Sequence, residues 1–251
     1  MRRIALRVAY DGTGFAGWQV QKNERTVQEE LERGIGEVCR REIRVTGSGR
    51  TDSGVHACGQ ICHFDTHDKG PPGDKFFLAI NRHLPKDLRV LNSCEVGGSF
   101  HARYSARRRE YRYYLLRGQT VSPFQRPYCW LRSSIAPLHT LNRYASLLVG
   151  THDFSSFAAE KDENENKVRT VFSSAFYTEG PYTVFRIAGI SFLWKMVRTI
   201  TGTVLELSER ETDPEELRQI LYSKNRKSAG ATAPARGLFL HRVEYEQRLF
   251  T

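Results

Sequence analysis

The sequence predicts an α+β fold built around a largely antiparallel sheet. Three observations carry this expectation. Alternating apolar and polar stretches occur beside helical apolar stripes in both halves of the chain. Several strands follow one another hairpin-fashion across short turns. No low-complexity tract or long linker interrupts the chain. The best division falls near residue 105, with an N-terminal domain over 1–105 and a C-terminal domain over 106–251.

Residues 3–10 alternate, with Ile4, Leu6, Val8 and Tyr10 on one face, as in a half-buried strand that ends in the turn Asp11-Gly12-Thr13-Gly14. Thr26 and Glu29 have capping-box spacing, and Val27, Leu31, Ile35 and Val38 extend a helix to about Arg40. Short strands are expected over 43–46 and 59–65 around a glycine-rich loop. Phe76, Phe77, Ile80 and Leu84 mark a helix stopped by Pro85, and 89–96 a strand. In the second half, 110–117 reads as a strand, and Leu138, Leu141, Ala145 and Leu148 as a helix ended by Gly150. Two strands follow over 168–178 and 183–190, joined by a Glu-Gly-Pro turn. Leu193, Met196, Val197, Ile200 and Val204 form another helical stripe. Asp213-Pro214 opens a short helix, and 237–246 is the last strand.

A chain of 251 residues can bury a sizeable core. No apolar run approaches the ~18 residues of a membrane span. Met1 to Arg7 lacks a signal-peptide core, and the five scattered cysteines (39, 58, 62, 94 and 129) fit reduced thiols. The expectation is a cytoplasmic protein with no membrane partner. Lys and Arg exceed Asp and Glu by 38 to 28, a net charge of +10. That excess fits a polyanionic partner, and equally a generic basic surface. Basic residues cluster at Arg40-Arg41, at Arg103 with Arg107-Arg108-Arg109, and at 224–227, while acids gather in 160–165 and 206–216.

The most unusual stretch is Gly47-Ser48-Gly49-Arg50-Thr51-Asp52-Ser53-Gly54-Val55-His56-Ala57. Gly49 and Gly54 have phosphate-loop spacing, yet Val55-His56 stands where Lys-Ser/Thr is required. Asp52 occupies the third glycine of a dinucleotide fingerprint and would repel a pyrophosphate. Nucleotide-cofactor binding is therefore rejected. Two readings remain for Asp52. It is an ionised nucleophile or base beside Arg50, or it caps its own loop. Cys58 and Cys62 on one strand lie roughly 13 Å apart at about 3.3 Å per residue, too far to share a tetrahedral ion, so no metal site is expected.

From Phe100 to Tyr114 aromatics interleave with arginines, a composition suited to RNA, where guanidiniums reach phosphates and rings stack on bases. On a strand Tyr111 and Tyr113 share one face; ordinary sheet packing is the alternative, and it is preferred for Tyr113 and Tyr114. Arg198 lies off the centre of its helix stripe, free to reach a cleft or to sit in solvent.

Taken together, Tyr10-Asp11-Gly12-Thr13-Gly14-Phe15-Ala16-Gly17-Trp18-Gln19, Thr26-Val27-Gln28, Gly49 to Ala57, Phe100-His101-Ala102-Arg103, Tyr111-Arg112-Tyr113, Gly150-Thr151-His152-Asp153-Phe154, Met196-Val197-Arg198 and Gly237-Leu238-Phe239-Leu240 resemble the TruA family of tRNA pseudouridine synthases. The Gly-Arg-Thr-Asp segment is the most specific. The resemblance implies two similar α+β halves sharing a largely antiparallel sheet, with a basic cleft between them. It implies a homodimeric isomerase acting on uridines 38, 39 and 40 of the tRNA anticodon stem-loop, with no nucleotide cofactor and no metal. Asp52 resembles the catalytic aspartate and Arg198 its ion-pair partner. Tyr111 resembles the aromatic that stacks on the flipped uracil, and Arg50 the loop arginine that holds the bent RNA open. Ser53 replaces a common Ala, and Trp194-Lys195 precede Met-Val-Arg where other residues are common. The acidic loop 160–166 is expected on the surface, away from RNA.

Overall fold

The computed structural model describes residues 1–67 and 70–250. The chain is α+β, with ten strands and five α-helices among the described residues. The strands are β1 (Arg2–Tyr10), β2 (Thr46–Gly47), β3 (His56–Thr66), β4 (Leu88–Val96), β5 (Ala106–Arg117), β6 (Trp130–Arg132), β7 (Gly150–Asp153), β8 (Val168–Glu179), β9 (Tyr182–Gly189) and β10 (Leu238–Tyr245). The helices are α1 (Val27–Cys39), α2 (Phe76–Ile80), α3 (Leu138–Ser146), α4 (Met196–Glu209) and α5 (Glu215–Ser223). No helix among the described residues is long and apolar enough to cross a membrane. Two compact units form, one from Met1–Arg108 with Phe239–Thr251, the other from Arg109–Leu238.

In the first unit the strand order is β4-β1-β3-β10. β1 pairs antiparallel with β3, setting Ile4 opposite Phe64 and Leu6 opposite Cys62, and antiparallel with β4 on its other side. Thr26 caps α1 by accepting the Glu29 amide at 3.4 Å, and Val27, Leu31 and Ile35 are fully buried. Phe76 of α2 meets Phe64 of β3 edge-on, ring centroids 5.6 Å apart.

In the second unit the order is β5-β9-β8-β7, antiparallel throughout, with β6 parallel to β5. Asn142 of α3 brackets Phe176 of β8, donating to its carbonyl at 2.9 Å and accepting its amide at 2.8 Å. Met196, Ile200 and Val204 of α4 and Phe185 and Ile187 of β9 have no exposed surface. Each such side chain contributes about 1.5–3 kcal/mol on burial.

Several expectations need correction. Residues 239–251 fall in the first unit, because β10 sets Phe239 and Leu240 parallel to His56 and Ala57 of β3. The Tyr245 hydroxyl also donates to the Ala102 carbonyl at 2.7 Å. The first stretch of that unit runs to Arg108 rather than 105. Over 43–46, Ile43 and Val45 face inward, yet the Val45 amide donates to the Glu32 carboxylate at 2.9 Å instead of to a strand; only Thr46 and Gly47 pair with β3. β3 begins at His56, since a strand buried on both faces loses its alternation. α3 stops at Ser146, and Gly150, at φ +122°, opens β7 rather than capping the helix.

Candidate active site

The loop between β2 and β3 carries Asp52 and Arg50. Its shape follows from what grips its backbone. The Ser48 amide donates to the Ile61 carbonyl at 2.7 Å, and the Gln60 side chain donates to the Gly49 carbonyl at 2.8 Å. Segment 10–18 holds the other side. The Thr51 carbonyl accepts the Trp18 amide at 3.1 Å, and the Gly54 amide donates to the Phe15 carbonyl at 3.3 Å. Tyr10 and Thr51 share a hydroxyl hydrogen bond of 2.8 Å in a buried setting. Across the turn itself, the Val55 amide donates to the Asp52 carbonyl at 3.1 Å.

Two glycines make this approach possible. A Cβ on Gly12 would lie 2.1 Å from the Val55 carbonyl oxygen. One on Gly17, at φ +106°, would lie 2.7 Å from the Thr51 carbonyl oxygen. Both contacts are with backbone, which has no rotamer to yield. The Gly12 amide in turn donates to Nδ1 of His56 at 3.0 Å. His56 is 1% exposed and stacks on Phe239 of β10 at 4.5 Å. Asp52 thus sits half-buried on a turn fixed at both ends, one residue from the buried Thr51. Arg50 is exposed, and its Nε donates to the Gln19 side chain at 3.2 Å.

Tyr111 and Arg198 belong to the second unit. Tyr111 lies on β5 opposite Ile187 of β9 and is 7% exposed. Phe192 meets its ring edge-on, centroids 5.2 Å apart and planes at 84°. Tyr113 is a core side chain: its hydroxyl donates to the Pro234 carbonyl at 2.7 Å, and burial pushes its phenol well above the usual range. Tyr114 packs edge-on against Tyr182 and donates to Glu179. Arg198 is the third residue of α4. Its Nε donates to the Ala233 carbonyl at 2.8 Å, and the Ala233 amide returns a bond to the Arg198 carbonyl at 3.1 Å. The segment before β10 therefore orients this guanidinium, a contact no pattern in the sequence announces.

The arginine cluster 107–109 is not one surface. Arg107 is exposed and pairs with Glu246 at 3.2 Å, and Arg108 lies 4.0 Å from Glu244. Arg109 is 6% exposed, with its guanidinium donating to the Ile190 carbonyl. Its alternation along β5 turns it into the second unit. The acidic loop also divides. Glu160, Glu163 and Glu165 are exposed, but the Asp162 side chain is 1% exposed. Its carboxylate accepts from Asn164 (amide 2.9 Å, side chain 2.7 Å), from Lys167 Nζ at 2.9 Å and from the Trp194 amide at 2.7 Å. Against the cost of burial, these donors hold its pKa down to about 2. Among the described residues, no group of three His, Cys, Asp or Glu side chains could hold a metal ion. Cys62 is fully buried, which pushes its thiol far above the usual range.

Sequence reasoning missed the contacts of Tyr10, Thr51, His56, Phe192 and Asp162. The first three residues were legible as members of quoted motifs; what hid their contacts was that these run between segments distant along the chain.

The sequence profile of the family described as tRNA pseudouridine synthase matches residues 6–105 and 144–246. The chain is similar to tRNA pseudouridine synthase A of Halalkalibacterium halodurans, 48% identical over 95% of this chain and 90% of that one. It is 44% identical to the enzyme of the same name from Anoxybacillus flavithermus over 98% of this chain and 100% of that one. For the Treponema denticola enzyme of that name the figures are 42%, 99% and 94%. With most of its length matched by the profile and relatives far above chance identity, the chain belongs to the tRNA pseudouridine synthase family.

Proposed function

We propose that the chain isomerises uridine to pseudouridine in the anticodon stem-loop of tRNA, at positions 38, 39 and 40, with Asp52 as the catalytic carboxylate. The observation that carries this reading is the doubly tied loop 47–57, which presents one half-buried carboxylate from a turn with little freedom. A group that must meet a reacting atom gains most from such preorganisation. Arg198 serves as its ion-pair partner, Tyr111 stacks on the flipped uracil, and Arg50 holds the RNA open. The active form is a cytoplasmic homodimer.

In the reaction the N1–C1′ bond breaks, the uracil turns, and a C5–C1′ bond forms. The C5 proton is lost to solvent and N1 takes one up. Atoms and electrons balance without a redox partner or external energy, so the reading includes no nucleotide cofactor and no metal. The target base must leave its stack, at a cost of a few kcal/mol. Stacking on Tyr111 offsets about 1–3 kcal/mol of it. Attack on C1′, addition to C6 and removal of a 2′ proton all need Asp52 ionised, and they remain three distinct routes.

Tritium release from tRNA carrying [5-³H]uridine tests the assignment. The wild-type chain releases tritium, and Asp52→Asn lowers the rate by roughly 10³-fold or more. An Asp52→Asn rate equal to wild type would remove Asp52 from the chemistry. Mapping pseudouridine in tRNA from a deletion strain tests the positions, and a monomeric sedimentation profile at micromolar concentration would remove the dimer.

A further inference from the structure

We propose that Asp162 is a positioning residue for the second unit's share of this site. Its carboxylate clasps the 192–195 turn, fixing Phe192 against Tyr111 and the first turn of α4 that carries Arg198. The proposal rests on the functional reading above.

Asp162 stands in the most acidic loop of a basic chain, where a solvated surface role was expected. Its side chain is instead turned inward, and four donors converge on it. Three of them, two from Asn164 and one from Lys167, are local and shape the loop. The fourth, the Trp194 amide at 2.7 Å, comes from the segment that enters α4. The loop also reaches the other side of the same residue, for the Ala159 amide donates to the Trp194 carbonyl at 2.9 Å. Both backbone polar groups of Trp194 are thus held by the 159–162 loop.

That grip matters because the turn is under strain. Lys195 is left-handed at φ 60°, a conformation unfavourable for a non-glycine residue that persists only when its surroundings impose it. No side chain caps α4 at this residue. What starts the helix is the turn itself: the Met196 amide donates to the Leu193 carbonyl at 3.1 Å and the Thr199 amide to the Lys195 carbonyl at 2.9 Å. Arg198 lies in that first turn, and Phe192, two residues before Trp194, meets Tyr111. Release of Trp194 would loosen both groups together, and a displacement near 1 Å can cost up to about 10²-fold in rate.

The test uses the full chain and three variants: Asp162→Ala, the milder Asp162→Asn, and Glu163→Ala at an exposed neighbour. Asp162→Ala is expected to lower kcat for tritium release about tenfold or more, with Kd for tRNA within about twofold of wild type. Amide hydrogen exchange should speed over residues 194–199 and stay unchanged in α3 and α5. Asp162→Asn, which keeps one acceptor oxygen, should fall between, and Glu163→Ala should change nothing. The proposal is overturned if both Asp162 variants keep kcat within twofold of wild type. Exchange that speeds throughout the second unit would also overturn it, since Asp162 would then be a general stabiliser. If the wild-type chain releases no tritium from tRNA, the isomerase reading fails, and the exchange pattern alone decides whether Asp162 sets the turn.

Discussion

The loop 47–57 and the segment 189–198 each present residues assigned to one reaction, but they are held in opposite ways. The first is gripped mainly through backbone, with Gly12 and Gly17 letting segment 10–18 close to within contact of Thr51 and Val55. The second is gripped by side chains from elsewhere: Asp162 on Trp194, Arg109 on Ile190, and Tyr111 against Phe192. A backbone grip restricts the residues that fit, whereas a side-chain grip leaves the held residues freer. This accounts for Trp194-Lys195 standing in a segment whose position is nevertheless well defined.

The largest effect should come from breaking the backbone grip. Gly12→Ala puts a Cβ 2.1 Å from the Val55 oxygen. The two backbone segments must shift, at a cost of about 3 kcal/mol or more in urea unfolding, and tritium release should collapse. A variant of wild-type stability would show that segment 10–18 does not shape the loop.

Acid should separate the two units next. Burial lowers the His63 pKa to about 4 in the first unit, below its ordinary 6.5. The folded state therefore favours neutral His63. Its contribution is complete above pH 6.5 and is lost as pH falls towards 4, about 2 kcal/mol between pH 7 and 4.5. Asp162 in the second unit, held down to about 2 from 3.8, keeps its contribution until pH falls through that lower window. Hydrogen exchange at pH 4.5 should show the first unit weakened and the Trp194 turn still protected; equal weakening would contradict the assignment, as would a His63→Gln chain with the wild-type pH slope.

Smaller effects sharpen the contrast. Tyr10→Phe removes one buried hydroxyl bond to Thr51 and should cost about 1 kcal/mol, lowering kcat with little change in Kd for tRNA. Arg107→Ala should alter stability by less than about 0.5 kcal/mol, yet shrink the salt slope of tRNA binding by about 1. Arg109→Ala should do the reverse, losing stability and keeping the slope. A wild-type salt slope in both would mean that the cluster lies off the RNA path.

Much of the fold was legible because long strands with one buried face and helices with one apolar stripe print their periods in the sequence. β1, α1, β5 and β8 are of this kind. Trp130–Arg132 and Gly150–Asp153 were missed because short, half-buried strands hold too few residues to show a period. Arg109 was misread for a related reason: charge along a chain says nothing of which face each residue takes. The Asp52 loop was legible through its glycine spacing. Its supports were not, since the partners of Thr51 and His56 lie tens of residues away.

The return of β10 to the first unit has a consequence for how the protein comes into being. Translation is vectorial, and the ring of Phe239 that covers His56 emerges only after the whole second unit has been made. A nascent chain can contain Asp52, Gly12 and Tyr10 and still lack the strand that pairs with His56 and Ala57. The loop's final shape therefore waits on synthesis of the whole second unit, and a truncation just short of Phe239 removes a piece of the first unit rather than trimming the second.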